Sequence, residues 1–137
     1  MSEDVKGILK STLYCVVATV ASDEAPQSVP LRFAYDDSCI YFRSSPNSEH
    51  STNLLINPRV SITIFDTTQS VKGAVYIHSS AEKLEGTGKE HAMAVFNERF
   101  NNPPDQWVDT AYYKVSIGKI DENKSLDKMF YFQECSA

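Results

Sequence analysis

From Gln27 to Tyr35 the chain alternates strictly: Val29, Leu31, Phe33 and Tyr35 fall on one side, and Ser28, Pro30, Arg32 and Ala34 on the other. A period of two belongs to a β-strand, whose successive side chains point to opposite faces. Pro30 lies in the middle of this run. Proline has no N–H to give a neighbouring strand, so it marks an edge, a bulge or a split in a sheet. Any fold for this chain must therefore give this strand an edge, a bulge or a split at this point.

The rest of the chain supplies partners for that strand. Leu13 to Ala21 is rich in β-branched residues and reads as a buried strand. Ser22-Asp23-Glu24-Ala25-Pro26 and Asp36-Asp37-Ser38 are turn sequences. Further strands are expected over Cys39 to Arg43, Val60 to Phe65, about Lys72 or Ala74 to Leu84, and Ala111 to Ile120. In the last, Tyr113, Val115 and Ile117 share a face. Three helical patterns interrupt the strands. Val5, Ile8 and Leu9 form one stripe behind a candidate N-cap at Ser2. A short helix from about Glu49 to Ile56 stops at Asn57-Pro58, because the residue before proline disfavours the α region. Lys89 to Phe100 carries Met93, Phe96 and Phe100 at helical spacing. The tail from Ser125 to Ala137 fits helix or strand equally. About six short strands with two or three helices predict a mainly β protein, an irregular barrel rather than a sandwich.

Bulk properties agree with one domain spanning 1–137. Hydrophobic residues make up 42% and charged residues 23% of the chain, an ordinary folded composition. The net charge of -5 argues against nucleic acid as a partner, since a phosphate backbone requires clustered cations. No apolar run approaches a membrane span. The acidic start, Met1-Ser2-Glu3-Asp4, is unlike the basic start of a signal peptide. The three cysteines, Cys15, Cys39 and Cys135, are far apart and form no CxxC pair. A reducing, cytoplasmic setting is expected.

The segment Tyr41 to Ile56 is the leading candidate site. Arg43 ends a strand, Ser44, Ser45 and Ser48 fill the loop, and His50 opens the helix. Hydroxyls, a guanidinium and free helix N–H groups are the parts that bind a phosphate. The same serines also suit a turn and a helix cap, which is the commoner use of such residues.

A wider ordered set sharpens this reading. Pro26, Val29-Pro30-Leu31, Phe33, Tyr35-Asp36, Ile40-Tyr41-Phe42, Ser48, Asn53-Leu54 and Asn57-Pro58-Arg59-Val60-Ser61 follow one another at fixed intervals. Ala81-Glu82-Lys83-Leu84 comes later. Together, from about Tyr14 to Leu84, they resemble the pyridoxamine 5′-phosphate oxidase-like family of FMN-binding split barrels. That resemblance implies a six-stranded split barrel and a homodimer with FMN at the subunit interface. By the same resemblance the phosphate is held by Arg43, Ser44, Ser45, Ser48, Glu49 and His50. Ser28, Val29, Pro30 and Leu31 run beside the flavin ring, and the segment from Lys72 to Ala74 also reaches it.

The chain departs from the full oxidases in having Glu49 and His50 where they carry basic residues, and Phe33 where they use Lys. It is similar instead to the small branch of the family, which includes nitroimidazole-reductase-like and general-stress-like proteins. Some of that branch bind a deazaflavin or haem. The expected function is an FMN-dependent oxidoreductase acting on a small molecule. The alternatives are a non-catalytic flavin- or haem-binding module and a cofactor-free dimeric split barrel. No catalytic side chain is assigned, because a flavin carries its own redox chemistry.

Other candidates are weaker. His50, His78 and His91 lack partners at metal-ligand spacing, so no metal site is expected. Gly86-Thr87-Gly88-Lys89 lacks the upstream glycine of a Walker A motif and reads as a strand-to-helix turn. Trp107 and Tyr112-Tyr113 suit core or dimer packing.

Overall fold

The computed structural model describes residues 3–65, 73–101, 109–118 and 129–133. The chain order is α1 (Glu3–Ser11), β1 (Tyr14–Val20), β2 (Pro26–Tyr35), β3 (Cys39–Ser44), α2 (Glu49–Ile56), β4 (Arg59–Phe65), β5 (Ala74–Lys83), α3 (Gly86–Phe100), β6 (Ala111–Ser116) and β7 (Met129–Gln133). Six strands close into an antiparallel barrel in the order β4-β1-β2-β3-β6-β5, with β5 pairing back onto β4. β7 lies outside this ring, parallel to β5 from Ala74↔Met129 to His78↔Gln133. The undecided tail is thus partly a strand, and the count of six becomes seven. By extending a sheet that already exists, this strand places Phe132 in the barrel core.

The barrel is split at two strands. β2 pairs with β1 over residues 26–32 and with β3 only from Phe33 to Tyr35. β5 pairs with β4 from Ala74 to Ser80 and with β6 from Ala81 to Lys83. Each strand therefore leaves one half-sheet and enters the other. Pro30 sits in the part of β2 that has only one neighbour. The Phe33 N–H donates to the Leu13 carbonyl on the β1 side. Because N–H groups alternate along a strand, position 30 faces away from β1, where no donor is needed.

Two apolar clusters hold these sheets. The inner cluster fills the barrel with Val17, Phe33, Ile40, Phe42, Ile62, Ile64, Val75, Ile77 and Val115, and α1 adds Val5, Ile8 and Leu9. Full burial of each such side chain is worth about 1.5–3 kcal/mol. The outer cluster lies between α3 and the β2–β3–β6 sheet. It contains Ala34, Cys39, Tyr41, Tyr112, Ala92 and Phe96, with Met93 and Phe100 packed beside them. α3 begins earlier than its apolar spacing indicated. The Gly86–Lys89 segment forms its first turn, and Gly86 takes the left-handed backbone (φ 58°) that glycine tolerates.

Arg99 ties the helices together. Its Nη2 donates to the carbonyl of Leu9 at 2.9 Å and to that of Thr12, two acceptors at the C-terminal end of α1. Such carbonyls have no partner within a helix. The guanidinium also lies 4.7 Å from the Phe33 ring centre and 4.9 Å from that of Tyr35. Burial pushes its pKa below the usual arginine value, with Tyr35 acting the other way.

Candidate functional site

The Ser44–His50 loop is built by its own hydroxyls. Ser48 caps α2: its Oγ accepts the Ser51 N–H at 3.2 Å and donates to the Ser45 carbonyl at 2.8 Å. Ser51 Oγ donates to the same carbonyl at 2.8 Å. Ser44 Oγ lies 3.1 Å from Ser48 Oγ and also meets Nε2 of His50. The sequence therefore brings Ser44, Ser45, Ser48 and His50 into one hydrogen-bonded knot at the N-terminus of α2. His50 is half-buried. Burial lowers its pKa, partly offset by neighbouring Glu49, so at neutral pH the imidazole is the uncharged form.

Beside the knot runs the free half of β2. Ser28 and Pro30 are exposed, and Val29 and Leu31 are half-buried. A cleft of about 170 Å3 lies between this half-strand and α2, lined by Thr19, Gln27, Ser28, Val29, Glu49 and His50. Two larger hollows, of about 420 and 390 Å3, lie elsewhere. The first is on the far side of the loop, beside Pro46, Lys83 and Lys89. The second is between α1 and α3, beside Lys10 and Arg99. Neither is lined by Ser28, Val29 or His50, whereas the smaller cleft is lined by all three.

A polar chain underlies the cleft. Asn53, 5% exposed, donates Nδ2 to Thr19 Oγ1 at 3.0 Å and to Gln27 Oε1 at 2.6 Å. Gln27 Nε2 then donates to Glu49 Oε1 at 2.5 Å. Buried polar atoms require partners, and this chain supplies them from the floor of the cleft to its rim. Thr19 and Gln27 were not foreseen as site residues. Nothing local distinguishes them, because one ends β1 and the other sits in an alternating strand. Only the pairing of Thr19 with Gln27 across β1 and β2 places them side by side above α2.

One expected residue, Arg43, lies outside this group. Arg43 is 8% exposed, and its guanidinium lies 4.4 Å from the ring centre of Phe96 on α3. Ser44, next along β3, turns to the opposite face and reaches the knot. Lys72 lies outside the described residues, as does Trp107.

The remaining candidates fall elsewhere. His78 is exposed on β5. His91 is exposed on α3 and its Nε2 lies 3.3 Å from Asp36 Oδ2. Asp36 Oδ2 also accepts the Tyr41 hydroxyl at 2.6 Å, and Oδ1 accepts the N–H groups of Ser38 and Cys39 at 3.0 and 2.9 Å. Tyr112 and Tyr113 are buried in the outer and inner clusters respectively. The Cys15 thiol is buried, which pushes its pKa up to about 12 and leaves it a packing group rather than a nucleophile. Among the described residues, no group of three His, Cys, Asp or Glu side chains is placed to hold a metal ion. No helix among them is long and apolar enough to cross a membrane.

The chemistry available in the cleft is therefore that of binding. Hydroxyls, helix N–H groups and a neutral imidazole can receive a phosphate or another anion. The half-strand can lie against a planar ring. Glu49 and His50 are the ionisable side chains that line the cleft.

Comparison with known proteins gives the fold an address. The pyridoxamine 5′-phosphate oxidase family matches residues 1–120. None of the curated proteins compared matches the chain. Solved structures do match. One is a candidate 5-nitroimidazole antibiotic resistance protein from Bacteroides thetaiotaomicron, with TM-score 0.72 and 17% identity over 87% of this chain and 81% of that one. A second is HutZ, a haem storage protein from Vibrio cholerae, with TM-score 0.70 and 21% identity over 82% and 87% of the two chains. A third is an FAD-binding protein from Mesorhizobium loti, with TM-score 0.66 and 23% identity over 87% and 91%. At these identities the likeness is one of fold. The family match extends over most of the chain, and its barrel and divided second strand agree with it, so this chain belongs to the pyridoxamine 5′-phosphate oxidase family.

Proposed function

We propose that the chain binds a flavin, FMN first among the candidates, and acts as a flavin-dependent oxidoreductase on a small molecule. The observation that carries this reading is the knot of Ser44, Ser45, Ser48 and His50 at the start of α2, directly beside the free half of β2. A flavin, when bound, supplies hydride or electron transfer. The protein's own residues then have three tasks. Ser44, Ser45, Ser48 and His50 anchor the phosphate end. Ser28, Val29, Pro30 and Leu31 provide a wall for the ring. Arg43 acts through Ser44, by fixing the end of β3 against α3. Lys72 remains a candidate for the ring side.

The cleft's size supports a shared site. Pockets that enclose a whole cofactor-sized ligand measure about 300–1,000 Å3, whereas this one measures about 170 Å3. It suits the phosphate end, and a second subunit would cover the ring, as expected of a homodimer. The acidic net charge and the free Cys15 and Cys39 fit a cytoplasmic protein that meets small molecules rather than nucleic acid.

The test is the visible spectrum of the purified protein after incubation with FMN, followed by identification of the released chromophore. Flavin bands that weaken in Ser48→Ala support the reading. A protein that remains colourless with added FMN favours the cofactor-free barrel, and a haem spectrum favours the haem-binding module. Oxidation of a reduced nicotinamide with an added electron acceptor then separates an enzyme from a carrier.

A further inference from the structure

Glu49, one residue after the cap of α2, lines the cleft together with His50, which is the knot's residue in that lining. The Glu49 carboxylate is held in place from below. Asn53 donates to both Thr19 and Gln27, and this fixes the Gln27 amide with its Nε2 aimed at Glu49 Oε1. Thr19 and Asn53 are 2% and 5% exposed, so Gln27 is oriented from a buried base, and its bond to Glu49 lies at the exposed rim. No lysine or arginine among the described residues forms an ion pair with Glu49. Its neighbour His50 is kept uncharged by burial. The cleft thus combines donors suited to an anion with a negative charge that pairs with no lysine or arginine among the described residues.

We propose that Glu49 is a specificity-determining residue that sets the ligand's charge, and that Gln27 is its positioning residue. The inference rests on the flavin reading of the same cleft. The hydroxyls and N–H groups of the knot still recognise oxygen atoms. The carboxylate, however, repels a phosphate dianion, so a flavin with an uncharged tail loses little by comparison. A unit charge at close range in a half-exposed site changes affinity by about three- to ten-fold. The intact protein should therefore hold FMN no more than about three-fold tighter than riboflavin, a preference far below what a cationic cradle would give.

The test measures the dissociation constants of FMN and riboflavin by fluorescence titration for the unaltered protein, Glu49→Gln and Glu49→Lys. Thermal unfolding of each confirms that it is folded. Glu49→Gln keeps a side chain that can meet Gln27 and removes only the charge. It should tighten FMN by about three- to ten-fold, and Glu49→Lys further, with riboflavin changed less than two-fold. Added salt should shrink the FMN effect and leave riboflavin unmoved. Gln27→Leu should reproduce part of the FMN gain, because the carboxylate is released from its aim. Equal gains for both flavins, or none for either, overturn the proposal while leaving the flavin reading in place. Failure of every folded form to take up either flavin overturns the flavin reading and this proposal together.

Discussion

The two halves of β2 are one strand in two environments. Residues 26–32 have β1 on one side and the cleft on the other, and every second one is exposed. Phe33 to Tyr35 pair with β3 instead, with Phe33 in the barrel core and Ala34 beneath α3. Phe33 and Ala34 are both fully buried. The comparison separates two jobs that a continuous strand usually shares. The closed half supplies cohesion. The open half pairs with β1 alone and is not covered by α3, which leaves its other edge and its outward side chains to the cleft. The adjoining side chains follow the same division. Arg43, Arg99 and Phe96 lie with the closed half, and Ser44, Ser48, Gln27 and Glu49 with the open one.

The largest test of this contrast is Phe33→Ala. It should cost about 3–5 kcal/mol of folding stability in urea denaturation. Leu31→Ala, in the open half and only partly buried, should cost less than half as much. Equal losses would erase the distinction. Next comes Arg43→Ala, which removes a buried cation from the face of Phe96. A stability loss of about 2–3 kcal/mol is expected, with flavin affinity of the folded molecule changed far less than in Ser48→Ala. A selective loss of binding instead would move Arg43 into the cradle.

Ser48→Ala should show the opposite balance. Loss of the cap costs about 1 kcal/mol, while titration with FMN should reveal an affinity about ten-fold weaker, since one alcohol and the helix start are both lost. Acid should act on the closed half first. Burial tends to raise the Asp36 pKa, but the hydrogen bonds from Tyr41, Ser38, His91 and Cys39 prevail and hold it below the ordinary aspartate value. A carboxyl whose pKa is lower when folded contributes stability above its unfolded value and loses it as pH falls through the folded one. Thermal stability should thus decline below about pH 4, and Asp36→Asn should be less stable at pH 7 but show a shallower decline. The smallest effect is expected for Pro30→Ala. The new N–H faces the open edge, so stability should change by less than about 1 kcal/mol in either direction. A larger loss would mean that the proline shapes the cleft and is not merely tolerated there.

Much of this architecture was legible along the chain. Strand alternation located β1 to β6 within a few residues, and Asn57-Pro58 marked the end of α2 as observed. These features are local: they depend on φ and ψ preferences and on which face each side chain takes. The serines around α2 were legible for the same reason, because a cap and the turn before it are made by neighbours in sequence. The tail was not. Met129–Gln133 has apolar content that suits either helix or strand, and its state depends on the free edge of β5. Arg43 and Ser44 were grouped by their phosphate-binding chemistry, and their neighbouring places on a strand put the two side chains on opposite faces.

The sequence by itself determined that a β-rich fold would carry an edge, a bulge or a split near Pro30, and that hydroxyls would gather before a short helix. Period, proline and capping chemistry act over a few residues and need no distant partner. Only the tertiary structure decided which face of β3 met α3, that Thr19 and Gln27 would carry Asn53's hydrogen bonds, and that Glu49 would stand at the cleft. Those outcomes depend on strand register and helix docking, which join residues from 22 to 34 positions apart.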